Sequence, residues 1–91
     1  RRDVLLRLQN NIKLRRLRAG LVEPALACTE DMLRLAPDAA ALWREAGLMN
    51  QRLDRIGAAL GCFDRFLDLV PEGEAAARIR ALTIELRQRL N

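Results

Sequence analysis

The side chains of this chain best suited to chemistry are arginines, and they recur at a fixed step. Arg44 and Arg78 lie 34 positions apart, and the same step backwards from Arg44 reaches Asn10. A guanidinium is a planar fork of N–H donors that matches a carboxylate, so such a ladder suits the holding of acidic groups. Covalent or proton-transfer chemistry has much less to work with. There is no histidine, which removes the commonest general base and most zinc sites. No two carboxylates are set apart as an acid and a base, and no glycine-rich phosphate loop follows a strand. Catalytic residues, cofactors and metals are therefore all expected to be absent.

The elements that would position the ladder repeat at the same interval. Pro37 recurs as Pro71, Ala25 as Ala59, Leu26 as Leu60, Cys28 as Cys62, Leu33 as Leu67, Leu35 as Leu69, Leu14 as Leu48 and Arg18 as Arg52. A period of about 34 residues in an alanine- and leucine-rich chain indicates stacked helical hairpins that share one core. With 91 residues this is one small domain. Aromatics make up 3% against 51% hydrophobic residues, so the core must come from Leu, Ala, Ile and Val, which suits helices better than a sheet. Cys28 and Cys62 then sit one unit apart. Packed helices lie roughly 8–10 Å from axis to axis, whereas a disulfide needs Cα atoms within about 7 Å, so the two read as packing residues. No apolar run reaches the roughly 20 residues of a membrane span and no signal peptide opens the chain, so a cytoplasmic location is expected. The start at Arg1-Arg2 leads to the expectation that the chain is a piece of a longer protein.

Proline and glycine divide the sequence into five helical segments. The first runs from about Asp3 to Arg18 and stops before Gly20, a residue suited to a left-handed C-terminal turn. Pro24 fits the first turn of the second, which Pro37 ends. Asp38 is the expected N-cap of the third, which runs to a turn at Leu53-Asp54-Arg55. The fourth ends at Pro71. In the fifth, Ala75, Ile79, Leu82, Leu86 and Leu90 form an apolar stripe, with Arg78, Arg80, Glu85, Arg87 and Arg89 toward water. The expected fold is all-α: two antiparallel helix hairpins, about residues 6–39 and 40–73, and a C-terminal capping helix over 74–91, which covers the preceding unit.

The second unit, Ala40 to Gly73, resembles the tetratricopeptide repeat (TPR): Trp43, Gly47, Ala59, Phe63 and Pro71 fall at that pattern's tryptophan, glycine, alanine, phenylalanine and proline positions. Gly47 and Ala59 let the two helices approach, Phe63 fills the space between them, and Trp43 is expected to be buried in the hairpin. The first unit is degenerate, with Gln9, Lys13 and Thr29 at the places of Trp43, Gly47 and Phe63, and Met32 and Phe66 replace a usual small residue late in the second helix. The run Val4-Leu5-Leu6-Arg7-Leu8-Gln9-Asn10-Asn11-Ile12-Lys13, ahead of these units, looks like the C-terminal tail of bacterial SirB-type proteins. That family joins a transglutaminase-like domain to a TPR region, so the resemblance implies such a domain upstream of Arg1.

The TPR resemblance also implies a concave groove lined by the first helix of each hairpin. Its candidate residues are the polar ladder Asn10, Arg44 and Arg78, the apolar ladder Leu14, Leu48 and Leu82, and Arg7 on the polar edge. Together these suit an extended or helical peptide with acidic groups and apolar anchors. The dicarboxylate clamp of chaperone-binding TPR domains is not reproduced, since Leu14, Glu45, Ala75 and Ile79 stand at its positions. Net charge is +4, and residues 1–18 carry seven basic residues against Asp3, a local balance of +6. Such a helix can neutralise phosphates, but it has no aromatic to stack on bases, which weighs against nucleic acid. The expected function is a non-catalytic module that binds a protein or peptide partner, or docks its own upstream domain. The alternatives are an accessory stabilising domain of an enzyme and nucleic-acid binding through residues 1–18. Self-association is open.

Overall fold

A computed structural model describes residues 1–91 as five helices and no strand: α1 (Arg2–Arg18), α2 (Val22–Leu35), α3 (Ala40–Arg52), α4 (Ile56–Leu69) and α5 (Glu74–Leu90). No helix is long and apolar enough to cross a membrane. Each helix packs on its neighbours in sequence: α1 on α2, α2 on α3, α3 on α4 and α4 on α5. Such neighbour-on-neighbour packing of helices is the mark of a helical solenoid.

The turns inside the two hairpins repeat as faithfully as the side chains. Gly20 has φ +77°, the Gly20 N–H donates to the Leu17 carbonyl at 3.0 Å, and the Leu21 N–H donates to the Arg16 carbonyl at 2.8 Å. One repeat later Asp54 takes φ +60°, with Asp54 N–H to Gln51 and Arg55 N–H to Asn50, both at 2.9 Å. Both are Schellman closures, which satisfy the last carbonyls of α1 and α3.

Between hairpins the prolines set the geometry. A proline disfavours the helical region for the residue before it, and Ala36 (φ −139°) and Val70 (φ −132°) lie outside that region. Pro24 lies in the first turn of α2 as expected. The expected N-cap is displaced: the cap of α3 is Ala39, and Asp38 makes no capping bond. The Ala39 N–H turns back to the Ala36 carbonyl at 3.1 Å, which makes Pro37 and Asp38 the two corners of a β-turn and moves the helix start on by one residue.

The core lies in two clusters. The first joins Ala25, Leu26, Met32 and Leu33 of α2 to Leu42, Ala46 and Met49 of α3. The second joins Ile56, Ala59, Leu60, Phe63 and Phe66 of α4 to Ile79 and Leu86 of α5. Trp43 packs on both. It is half-buried rather than enclosed: its Nε1 donates to the Pro37 carbonyl at 2.8 Å, and the Arg65 guanidinium lies 4.6 Å from the ring centroid, a cation–π distance. A Cβ on Gly47 would come within 3.0 Å of the Phe63 ring, so the close approach expected at these positions is real.

The α5 helix covers α4 with a rolled face. On α3 the buried line toward α2 is Leu42, Ala46 and Met49, whereas on α5 it is Ala76, Ile79, Thr83 and Leu86. Ile79 and Leu86 are the equivalents of Glu45 and Arg52, while Arg80, the equivalent of Ala46, is exposed. The apolar residues have moved along the helix face and the helix has turned to bury them. Leu90, expected in the stripe, is 57% exposed at its end.

Candidate functional site

Residues of α1, α3 and α5 meet on one side of the molecule, with α3 supplying most of them. Gly47 and Ala46 hold α3 close to its neighbours, which leaves Glu45, Leu48 and Arg52 on the opposite side. There a hollow of about 550 Å³ has Leu17, Leu48 and Met49 as its apolar lining, with Glu45, Arg52 and Arg89 among the polar residues. Leu48 is 41% exposed, an apolar group held toward solvent without a partner. Asp54 accepts a hydrogen bond from Arg89 at 2.9 Å, so Arg89 is partly neutralised. Arg52 has no carboxylate partner among the ion pairs and is the free cation of the rim.

A buried charge closes the α1 side. The Lys13 side chain is 4% exposed, and its ammonium pairs with the Glu45 carboxylate, which is 34% exposed. Lys13 occupies Gly47's place in the repeat and Thr29 that of Phe63, and both are buried. In the first hairpin a buried lysine stem and a buried threonine hold the places of the glycine and the ring of the second. A similar exchange links the thiols, which are both free. Arg16 Nη1 donates to Cys28 Sγ at 3.1 Å, and its repeat equivalent Asn50 Nδ2 donates to Cys62 Sγ at 3.8 Å. Burial pushes the Cys62 thiol above its ordinary pKa, the hydrogen bond from Asn50 acts the other way, and the negative charge of Glu30 raises it further. Each cysteine is thus a packing group with a polar neighbour.

Of the groove residues expected from the sequence, only Leu48 lines this hollow. Arg44 is half-buried, its Nε has no hydrogen-bond partner, and it forms no ion pair. Arg78 is exposed and donates to Glu74 at 2.7 Å. Asn10 is half-buried, Arg7 is exposed, and Leu14 is 39% exposed. Leu82 packs partly against the second core cluster, a consequence of the roll of α5. The lining also includes Leu17, Met49, Arg52 and Arg89, which the repeat frame did not single out. Arg52 carried a signal, its recurrence with Arg18, but Arg89 enters only through the packing of α5.

The close hairpin geometry around Gly47 and Phe63 has a counterpart in sequence comparison, where a family model for the tetratricopeptide repeat matches residues 12–83. The chain belongs to the tetratricopeptide repeat family. Among solved structures, one described as "MamA RS-1 ArsTM double mutant" superposes with a TM-score of 0.80 at 27% identity, over 92% of this chain and 48% of that one. The TPR chain thus spans about half the length of that neighbour. No curated protein matches it. TPR repeats generally mediate protein–protein interactions and are typically non-catalytic, and the all-helical hairpin fold agrees with both comparisons.

Proposed function

We propose that this TPR chain is a non-catalytic interaction module that takes a peptide segment of a partner protein along its concave face. The observation that carries this reading is the hollow beneath α3, with an apolar lining of Leu17, Leu48 and Met49 and the unpaired Arg52 on its rim. An apolar side chain of the peptide fills the hollow, and an adjacent carboxylate meets Arg52. Arg44 and Arg78 extend the polar side, with Asn10 and Arg7 continuing it on α1, and Leu14 and Leu82 flank Leu48 as further apolar contacts. The partner is accordingly acidic near an apolar anchor.

The SirB-type likeness of Val4–Lys13 supports a narrower setting, in which the module stands behind a transglutaminase-like domain and brings a partner to it. A start codon immediately before Arg1 in the coding sequence would remove that setting without touching the groove.

The groove is tested by photo-crosslinking from position 48 to identify a partner, followed by affinity measurements. Leu48→Glu should weaken binding about tenfold or more, by placing charge in the apolar hollow. Arg44→Glu with Arg78→Glu should weaken it and flatten its salt dependence. Unchanged affinity in Leu48→Glu would remove the hollow as the site.

A further inference from the structure

The outward side of α1 is apolar and uncovered. Leu5, Leu8 and Ile12 lie one repeat before Ala39, Leu42 and Ala46. On α3 that line is sunk against α2: Leu42 and Ala46 share a cluster with Leu26 and Leu33, and Ala39 packs on it. On α1 the same line faces solvent, with Leu5 50% and Leu8 54% exposed against 8% for Leu42. Ile12 is half-buried, and Val4, also exposed, widens the stripe. α5 in turn presents Ile79 and Leu86 to α4. Within residues 1–91 the line is covered on α3 by α2 and on α5 by α4, and in both cases the cover is an antiparallel amphipathic helix.

Charge selects the kind of helix. Arg1 and Arg15 stand at the two ends of the stripe, about 21 Å apart along the axis. Of the seven cations in residues 1–18 only Lys13 has a carboxylate partner. A second copy pairing α1 with α1 would set two such helices side by side. Stacking α5 on α1 would add Arg78, Arg80, Arg87 and Arg89 to the same field, against only Glu74 and Glu85. Like charges so placed oppose both arrangements. The internal covers, by contrast, bring acids: Glu23 of α2 pairs with Arg55, and Asp64 of α4 with Arg87.

We propose that the outward stripe of α1 docks an acidic amphipathic helix of a partner protein, laid antiparallel over Val4, Leu5, Leu8 and Ile12 with carboxylates toward Arg1 and Arg15. This surface is separate from the concave face, and the proposal stands or falls apart from it.

The test uses the protein at the full length its gene encodes and two labelled peptides of about 14 residues, enough to span the stripe. Both carry leucines three and four positions apart; one is flanked by glutamates, its twin by lysines. In anisotropy titrations the glutamate peptide should bind and the twin bind about tenfold more weakly or less. Leu8→Glu should weaken the glutamate peptide about tenfold or more, and the peptide should slow exchange of the α1 amides, a protection that Leu8→Glu abolishes and Leu48→Glu leaves in place. Arg15→Glu, which places a charge at an exposed position and leaves the apolar stripe intact, should weaken the glutamate peptide and strengthen the lysine twin. Equal binding of the two peptides, or sensitivity to Leu48→Glu in place of Leu8→Glu, would overturn the proposal. So would a dimer in sedimentation that Leu8→Glu dissolves, since a second copy would then be the occupant. Refusal of the peptide by a full-length protein whose α1 is already protected would assign the stripe to the chain's own upstream segment, and would overturn it too.

Discussion

Lys13 shows how a single departure from a repeat can be structural. The sequence marks it as an anomaly, a lysine where the better-formed unit has Gly47, and Thr29 as a second, where that unit has Phe63. It does not show that the two belong together in one hairpin interior, nor that the ammonium reaches Glu45 in the next unit, because a pair 32 residues apart is set by how the hairpins stack. The arrangement has unequal consequences for its members. Breaking the pair from the acid side leaves an ammonium 4% exposed without its counter-charge, whereas replacing the lysine by an apolar chain of similar volume removes the buried charge altogether. Glu45→Gln should therefore cost roughly 1–3 kcal/mol, below the ~3–5 kcal/mol of a fully enclosed pair because water reaches the Glu45 side. Lys13→Met should change stability by less than about 1 kcal/mol or raise it. Urea unfolding of the two variants checks this, and a larger loss for Lys13→Met than for Glu45→Gln would contradict it.

At the scale of elements, the helices were legible and their ends were legible only where a backbone rule acts. Pro37 and Pro71 stop α2 and α4 through the residue before each, and Gly20 marks the left-handed turn after α1. The start of α3 lies one residue past the expected place because Asp38 suits two roles, cap and turn corner, and the hydrogen bond from the Ala39 N–H to the Ala36 carbonyl decides for the corner. The turn after α3 carries a testable asymmetry. Asp54 fills Gly20's position with φ +60°, a conformation that costs a non-glycine residue roughly 1–2 kcal/mol, less for Asp than for most. Its bond to Arg89 joins two exposed side chains, worth about 0.2–1 kcal/mol. Asp54→Gly relieves the turn and gives up only the ion pair, so it should leave stability unchanged or raise it by up to about 1 kcal/mol. Asp54→Val keeps the conformation, loses the ion pair and adds a β-branched side chain, and should cost about 1–3 kcal/mol. Thermal unfolding of both variants beside the parent separates the backbone effect from the ion pair. A Gly variant as unstable as the Val variant would mean that Asp54 acts mainly through Arg89.

For the whole molecule, the period of 34 gave the stacking order but treated all first-type helices as alike, and they are not. The roll of α5 takes Leu82 partly into the core and leaves Arg78 more exposed than Arg44, so a ladder that is regular in sequence is irregular in space. The hollow itself depends on Arg89 and Leu17, which belong to helices on either side of α3 and share no repeat position. The helix with the fewest buried side chains is α1. Lys13 is its only buried residue, Leu6 and Leu17 are only partly buried against the first cluster, and Val4, Leu5 and Leu8 face out. By contrast, α3 and α4 are packed on both sides, with Trp43 joining the two clusters. Opening α1 therefore frees few buried side chains of its own and uncovers one face of α2, while opening α3 or α4 breaches the clusters on both sides. Hydrogen exchange under native conditions should show amides of α1 exchanging by a local opening well below the global unfolding free energy, and those in the middle of α3 and α4 only by global unfolding. Both end helices, α1 and α5, should rank below α3 and α4, because each packs on one neighbour only. If α1 were as protected as α3, a contact holding it would have to come from beyond the two clusters, and the most direct source is a cover on its outward stripe.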